Sequence, residues 1–224
     1  LFCLLSMKLE LNIPESLDDI TLEQYQRFIA IEEPTNDDLL SIFLDVDLNV
    51  LNSIKDDKID SLILHINSLF EADKPHIMQF NLNGVRYGFI PNLDEISYGE
   101  NKDITTFINS WETMHKAMSV LFRPITFSRK EKYIIEEYKG NIDTAEDFKK
   151  MPLLVAFGAN VFFYNLTNEL LKAIPNYLEK EAAKEQTKGV ISVENGEAIK
   201  KSLHLLKETL EDLTRLQDFH YTSV

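Results

Sequence analysis

The chain has 224 residues, is 44% apolar and 27% charged, and carries a net charge of −14 and a single cysteine, Cys3. A chain of this length buries a core without staples, and one cysteine excludes an intrachain disulfide and a cysteine-built zinc site. The acid excess repels phosphate backbones, which argues against a nucleic-acid partner.

The charge is uneven: net −13 over residues 1–103, +1 over 104–178 and −2 over the last 46 residues. An acidic surface of this kind serves solubility first, and a basic protein partner second. Length predicts one globular domain, over residues 7–178, and the pattern of its elements makes it α+β and mostly helical. A linker over 179–196 and an appended helix over 197–219 follow. The opening LFCLLS lacks a basic n-region, so it does not read as a secretory signal. Met7, followed by a strand-like pattern, reads as the start, with residues 1–6 as an upstream extension.

In chain order, Lys8 to Ile13 alternates apolar and polar residues and predicts a half-buried strand. Thr21-x-x-Gln24 is a capping box, and Ile20 with Tyr25 can form the staple around it. Leu22, Tyr25, Phe28 and Ile29 face inward from that helix. Asn36 is positioned to cap a helix carrying Leu39, Leu40 and Phe43, and Asp47 one carrying Leu48 and Leu51. Ile59, Leu62, Ile63, Ile66, Leu69 and Phe70 make a helical stripe.

Residues 77–90 read IMQFNL-NG-VRYGFI. Asn-Gly tolerates positive φ at both turn positions, so this is a two-residue hairpin. Its register pairs Leu82 with Val85, Phe80 with Tyr87 and Met78 with Phe89, all on one face. A loop through Gly99 leads to Ser110, which caps a helix striped by Trp111, Met114, Met118, Leu121 and Phe122. Ile125, Phe127, Tyr133 and Ile135 alternate as one or two more strands. Thr144 caps a short helix into Met151.

Between Pro152 and Pro175 lies LLVAFGANVFFYNLTNELLKAI, the predicted central helix over 153–174. Its first half, through Phe162 and Phe163, is apolar nearly all round, which predicts burial on every side. Asn160, Asn165, Asn168, Glu169 and Lys172 interrupt it, so it does not read as a membrane span. The small sheet, made of the N-terminal strand and the hairpin, is expected to pack on the helical core around this helix.

Near the C-terminus Ile199, Leu203, Leu206, Leu210 and Leu213 are spaced 4, 3, 4, 3, an a/d seam suited to a protein partner. Self-association through this helix is one way to cover the seam. Docking on its own chain or on another protein is favoured, because two to three heptads are short for a dimeric coiled coil.

No constellation for chemistry stands out. Asp45, Asp47 and Asn49 match the first three ligand positions of a calcium loop, but Val50 stands where the sharp turn needs Gly. Adjacent acidic pairs sit in first helical turns, where they complement the helix dipole. The five histidines are scattered, and His115, four residues after Trp111, reads as a core-edge side chain. No catalytic residue, metal ligand or cofactor is therefore expected, and the chain does not read as an enzyme.

Five stretches together resemble an uncharacterised protein family of tailed bacteriophages. They are IPESLDDITLEQYQRF (13–28), FNLNGVRYGFIPNLDEISYGE (80–100), WETMHKAMSVLFRPI (111–125), KYIIEEYKG (132–140) and MPLLVAFGANVFFYNLTNELL (151–171). The similarity spans residues 8–178, in order. The resemblance implies a role in virion morphogenesis, such as a tail assembly chaperone acting on another phage structural protein. It places the chain in the host cytoplasm or the virion. A structural component of the neck, tail or baseplate is the alternative. A metal-dependent hydrolase drawn from the acidic first half is the remaining one.

Overall fold

The computed structural model describes residues 11–130, 132–140, 143–166 and 168–169. The chain divides into two compact units, Leu1–Val161 and Phe162–Val224. The expected linker at 179–196 and the appended helix at 197–219 lie outside the described residues, as do Lys8 to Glu10 of the expected first strand.

The first unit is a helical body with a four-stranded antiparallel sheet. Helix α1 (Leu22–Ile29) starts at Thr21, whose side chain accepts from Gln24 N while Gln24 reaches back to the cap, as the capping box requires. Leu22 and Tyr25 are buried on it. Helix α2 (Asn36–Phe43) is capped by Thr35 with Asp38, one residue before the Asn36 cap expected. Thr35 offers the hydroxyl in the extended conformation that a cap needs, so Asn36 becomes the first helical residue. Asp47 precedes the single turn α3 (Leu48–Leu51) without a side-chain cap bond. In α4 (Asp56–Glu71), Leu62, Ile66 and Leu69 face the core.

Strands β1 (Gln79–Leu82) and β2 (Val85–Phe89) form the expected hairpin, with Leu82 opposite Val85 and Phe80 opposite Tyr87. Asn83 and Gly84 take φ values of 50° and 78°, the left-handed pair of this turn. Phe89 N donates to Met78 O at 2.8 Å, which carries the register one pair further.

Helix α5 (Tyr98–Phe107) stands where a loop was expected. Its signal is Ser97-x-x-Glu100, a capping box in which both reciprocal bonds form. A 3-10 turn at Trp111–Thr113, begun at Ser110, leads into α6 (Met114–Leu121). The chain passes without a loop from α6 into β3 (Phe122–Arg129) and returns as β4 (Lys132–Ile135). The sheet order is β1-β2-β3-β4.

The described part of the expected N-terminal strand does not join this sheet: residues 11–13 are not in a strand, and Ile13 is 42% exposed. The edge places are taken by β1 and β4, and alternation alone does not supply a ladder partner.

The core face of the sheet carries Phe80, Phe89 and Phe122. Phe148, from the 3-10 helix Asp143–Lys150, packs edge-on against Tyr87 with centroids 5.1 Å apart. The opposite face of Gly88 lies under the Tyr133 ring.

Residues 153–161 are helical and end the first unit. Leu153, Val155, Ala156 and Ala159 are buried, and Phe157 meets Tyr25, Trp111 and Phe70 ring to ring. Burial on every side does not hold: Leu154 and Phe157 are half-buried and Val161 is 38% exposed. The helix is covered on most of its surface, with Phe157 on the rings of Tyr25, Phe70 and Trp111 and Gly158 close against Pro75 O, and it opens only on the side that carries Leu154 and Val161. In the second unit residues 162–166 are helical, with the Phe162 and Phe163 rings edge to face at 5.4 Å. Both are half-buried. The remainder of the expected central helix, beyond residue 169, lies outside the described residues.

Candidate functional site

Two polar clusters lie inside the first unit. In the first, Glu100 lies in the opening turn of α5 and is buried. Its Oε2 accepts from Ser97 N at 2.8 Å, and its Oε1 meets Arg123 Nη2 of β3 at 2.6 Å. The Arg123 guanidinium lies 6.0 Å from the centroid of the Tyr138 ring. The Tyr138 hydroxyl donates to Asp103 of α5. Burial, reinforced by that bond to a carboxylate, pushes the Tyr138 phenol up to about 12. Both Glu100 oxygens are committed, one to a backbone amide and one to a cation, so Glu100 is a tie between α5 and β3.

In the second cluster, Gln26 of α1 donates to Trp111 O at 2.6 Å and lies 3.1 Å from His115 Nδ1. The amide nitrogen is the donor, so Nδ1 accepts and the proton of neutral His115 sits on Nε2. Nε2 lies 3.3 Å from Glu146 Oε1, a charge contact that lacks hydrogen-bond geometry. Lys149 Nζ reaches Glu146 Oε2 at 2.7 Å. Burial holds the His115 imidazole below its ordinary value, against the opposing pull of Glu146. Lys149, with a smaller contribution from His115, lowers the Glu146 carboxyl. His115, expected at the core edge, is 4% exposed and locks α1, α6 and the 3-10 helix together.

Neither cluster lines either of two cavities found among the described residues. One is a polar cleft of about 230 Å³ that includes Asp19 and Asp45. Asp45 takes a φ of 51°, so the segment resembling a calcium loop turns sharply at its first residue. Among the described residues no group of three or more His, Cys, Asp or Glu could hold a metal ion. Nor is any helix among them long and apolar enough to cross a membrane.

The other cavity is an apolar groove of about 470 Å³, lined by Leu11, Ile13, Ile54 and Leu62 with Lys58, Ser61 and His65. Helix α4 forms one wall because Lys58, Ser61, Leu62 and His65 fall on neighbouring turns at helical spacing. His65 is held by donating Nε2–H to Pro14 O at 2.8 Å, which ties α4 to the segment opposite. The strand-like alternation of Leu11 and Ile13 therefore supplies a groove wall. The sequence signals the apolar residues, but only the tertiary fold leaves space between them.

A second apolar surface is Phe127 with Ile134, register partners on β3 and β4 and 58% and 59% exposed. The expected partner-binding residues Ile199, Leu203, Leu206, Leu210 and Leu213 lie outside the described residues. No protein-family model, curated protein or solved structure matches the chain.

Proposed function

We propose that this chain is a non-enzymatic assembly protein of a tailed bacteriophage, acting in the host cytoplasm as a chaperone that shields apolar segments of a tail protein. The observation that supports the reading best is the apolar groove of about 470 Å³ between residues 11–13 and α4. A concave apolar site with few polar groups takes apolar side chains, and a helix laid in such a groove presents them at i, i+3 and i+4. The acidic character of the surrounding sequence, net −13 over residues 1–103, keeps an unloaded shielding protein apart from its own copies. The polar clusters fit this reading, because their groups are used to join elements.

Two measurements test it. Mass spectrometry of purified particles should find the chain absent, since a chaperone leaves before maturation. Its presence at stoichiometric copy number overturns the chaperone reading in favour of a neck, tail or baseplate component. Nile red, a neutral apolar dye, should bind the full chain and be displaced in Ser61→Arg, which puts a charged side chain at an exposed groove position. Unchanged dye fluorescence in that variant removes the groove as the site.

A further inference from the structure

The β3–β4 hairpin carries a pattern that the core does not use. Pairing places Phe122 opposite Phe89 and Pro124 opposite Tyr87 on the core face. Ile125 falls on the other face, opposite Ile135. A bulge between Ile125 and Phe127 then resets the alternation, so Phe127 opposes Ile134. The reset returns Phe127 and Ile134 to the face shared with Tyr87 and Pro124, beyond the reach of the layer that covers Phe80. Two residues further along each strand, on the same face, Arg129 opposes Lys132. An exposed apolar pair thus stands beside an exposed cation pair.

Lys130 at the turn adds a third cation, held at a φ of 56°, a conformation that a lysine seldom adopts. Its hairpin counterpart in the same sheet uses Asn83-Gly84 for the equivalent turn. The hairpin root is anchored, because the Tyr133 hydroxyl donates to Phe89 O at 2.8 Å.

β4 is the last strand of the sheet order, so among the described residues its outer edge has no strand beside it. We propose that this edge receives an extended segment of a partner protein carrying an apolar residue and a carboxylate two positions apart. In a strand those two side chains share a face and sit about 7 Å apart. They then fall beside Ile134 and Lys132, giving an apolar cross-strand pair and an opposite-charge pair. Charge complementarity to Lys132 suits this occupant. An in-register parallel second copy would bring Lys132 beside Lys132, which is disfavoured, whereas an antiparallel copy centred on Ile134 would set Lys132 beside Glu136 and show as dimerisation. A polyanion such as nucleic acid meets the repulsion of a chain with net charge −14. This surface is independent of the groove, so either can fail alone.

The test uses the full chain and two fluorescein-labelled ten-residue peptides of identical composition. In one, Ile and Glu alternate with Thr so that both lie on one face; in the other they are adjacent and face opposite sides. The first should bind, with affinity that falls as salt rises, and the second at least about tenfold more weakly, which corresponds to about a 1.4 kcal/mol difference. The double variant Phe127→Ser/Ile134→Ser and the double variant Lys130→Glu/Lys132→Glu should each lose binding about tenfold or more with an unchanged thermal midpoint. Equal binding of the two peptides, no binding of the first, or full binding by either variant overturns the proposal. So does concentration-dependent dimerisation abolished by Lys132→Glu, which would assign the edge to a second copy. Capture by vesicles of phosphatidylserine in place of the peptide would assign it to a membrane surface, and would equally overturn it.

Discussion

The sheet contains two hairpins built on the same alternation and stabilised in different ways. In β1–β2 Phe80 and Tyr87 meet the Phe148 ring, and Phe80 is 9% exposed. In β3–β4 the apolar pair at the far end is left mostly exposed, Phe127 at 58% and Ile134 at 59%. The first hairpin is held by burial. The second is held at its root by phenol hydroxyls, Tyr133 on Phe89 O and Tyr138 on Asp103. Alternation decides which residues share a face. Whether that face is covered depends on what lies over it, and here the cover ends with the 3-10 helix.

The largest expected effect breaks the first hairpin. Phe80→Ala removes a buried ring that touches Tyr87, Phe122 and Phe148, and should cost about 3–5 kcal/mol in denaturant unfolding. A loss below about 1 kcal/mol would show that the Phe148 layer does not depend on it.

Next comes the join between the hairpins. A Cβ on Gly88 would lie 2.5 Å from the Tyr133 ring, so Gly88→Ala must push that ring aside. The cost should be about 1–3 kcal/mol. Removing the ring as well should recover part of it, and the double variant Gly88→Ala/Tyr133→Ala measures that coupling. Strict additivity would mean the ring already moves freely.

The hydroxyl anchoring of the second hairpin has a pH signature. The Tyr138 phenol is raised from 10.0 to about 12 in the folded protein, so folding favours its protonated form. Its contribution is complete below pH 10 and is lost as the pH rises towards 12. Burial also raises the Tyr87 and Tyr133 phenols, so absorbance titration at alkaline pH should show several late tyrosines, and Tyr138→Phe should delete the component near pH 12. A titration unchanged by the substitution would leave the second hairpin without this anchor.

The smallest effect sharpens the contrast. Phe127→Ala removes an exposed ring and should change stability by no more than about 0.5 kcal/mol. The same residue type on the same face would then differ several-fold in cost between the two hairpins. A loss near that of Phe80→Ala would mean that Phe127 is covered in solution.

Much of the fold was legible residue by residue. The Asn83-Gly84 turn carried its own register, because few pairs accept positive φ twice in succession. Thr21 with Gln24 announced a helix start through two reciprocal bonds that need no tertiary partner. The same chemistry at Ser97 and Glu100 was equally readable, and it marks α5, where a loop was expected. These are local interactions, closed within four residues.

The candidate surfaces were less legible, since each is a space between elements distant in the chain. Leu11 and Ile13 alternate like a strand, yet they face α4 across a groove that depends on where His65 meets Pro14. Phe127 reads like any inward strand residue until the bulge at Ile125/Phe127 re-aims it. Leu154 and Val161 are as apolar as their neighbours, but the side of the helix they share is left partly open. By itself, then, the sequence determined the capping boxes at Thr21 and Ser97, the first hairpin's turn and register, and the acidic charge. Only the tertiary structure decided which apolar faces are covered, because burial depends on what an element packs against and local chemistry only on its own neighbours in sequence.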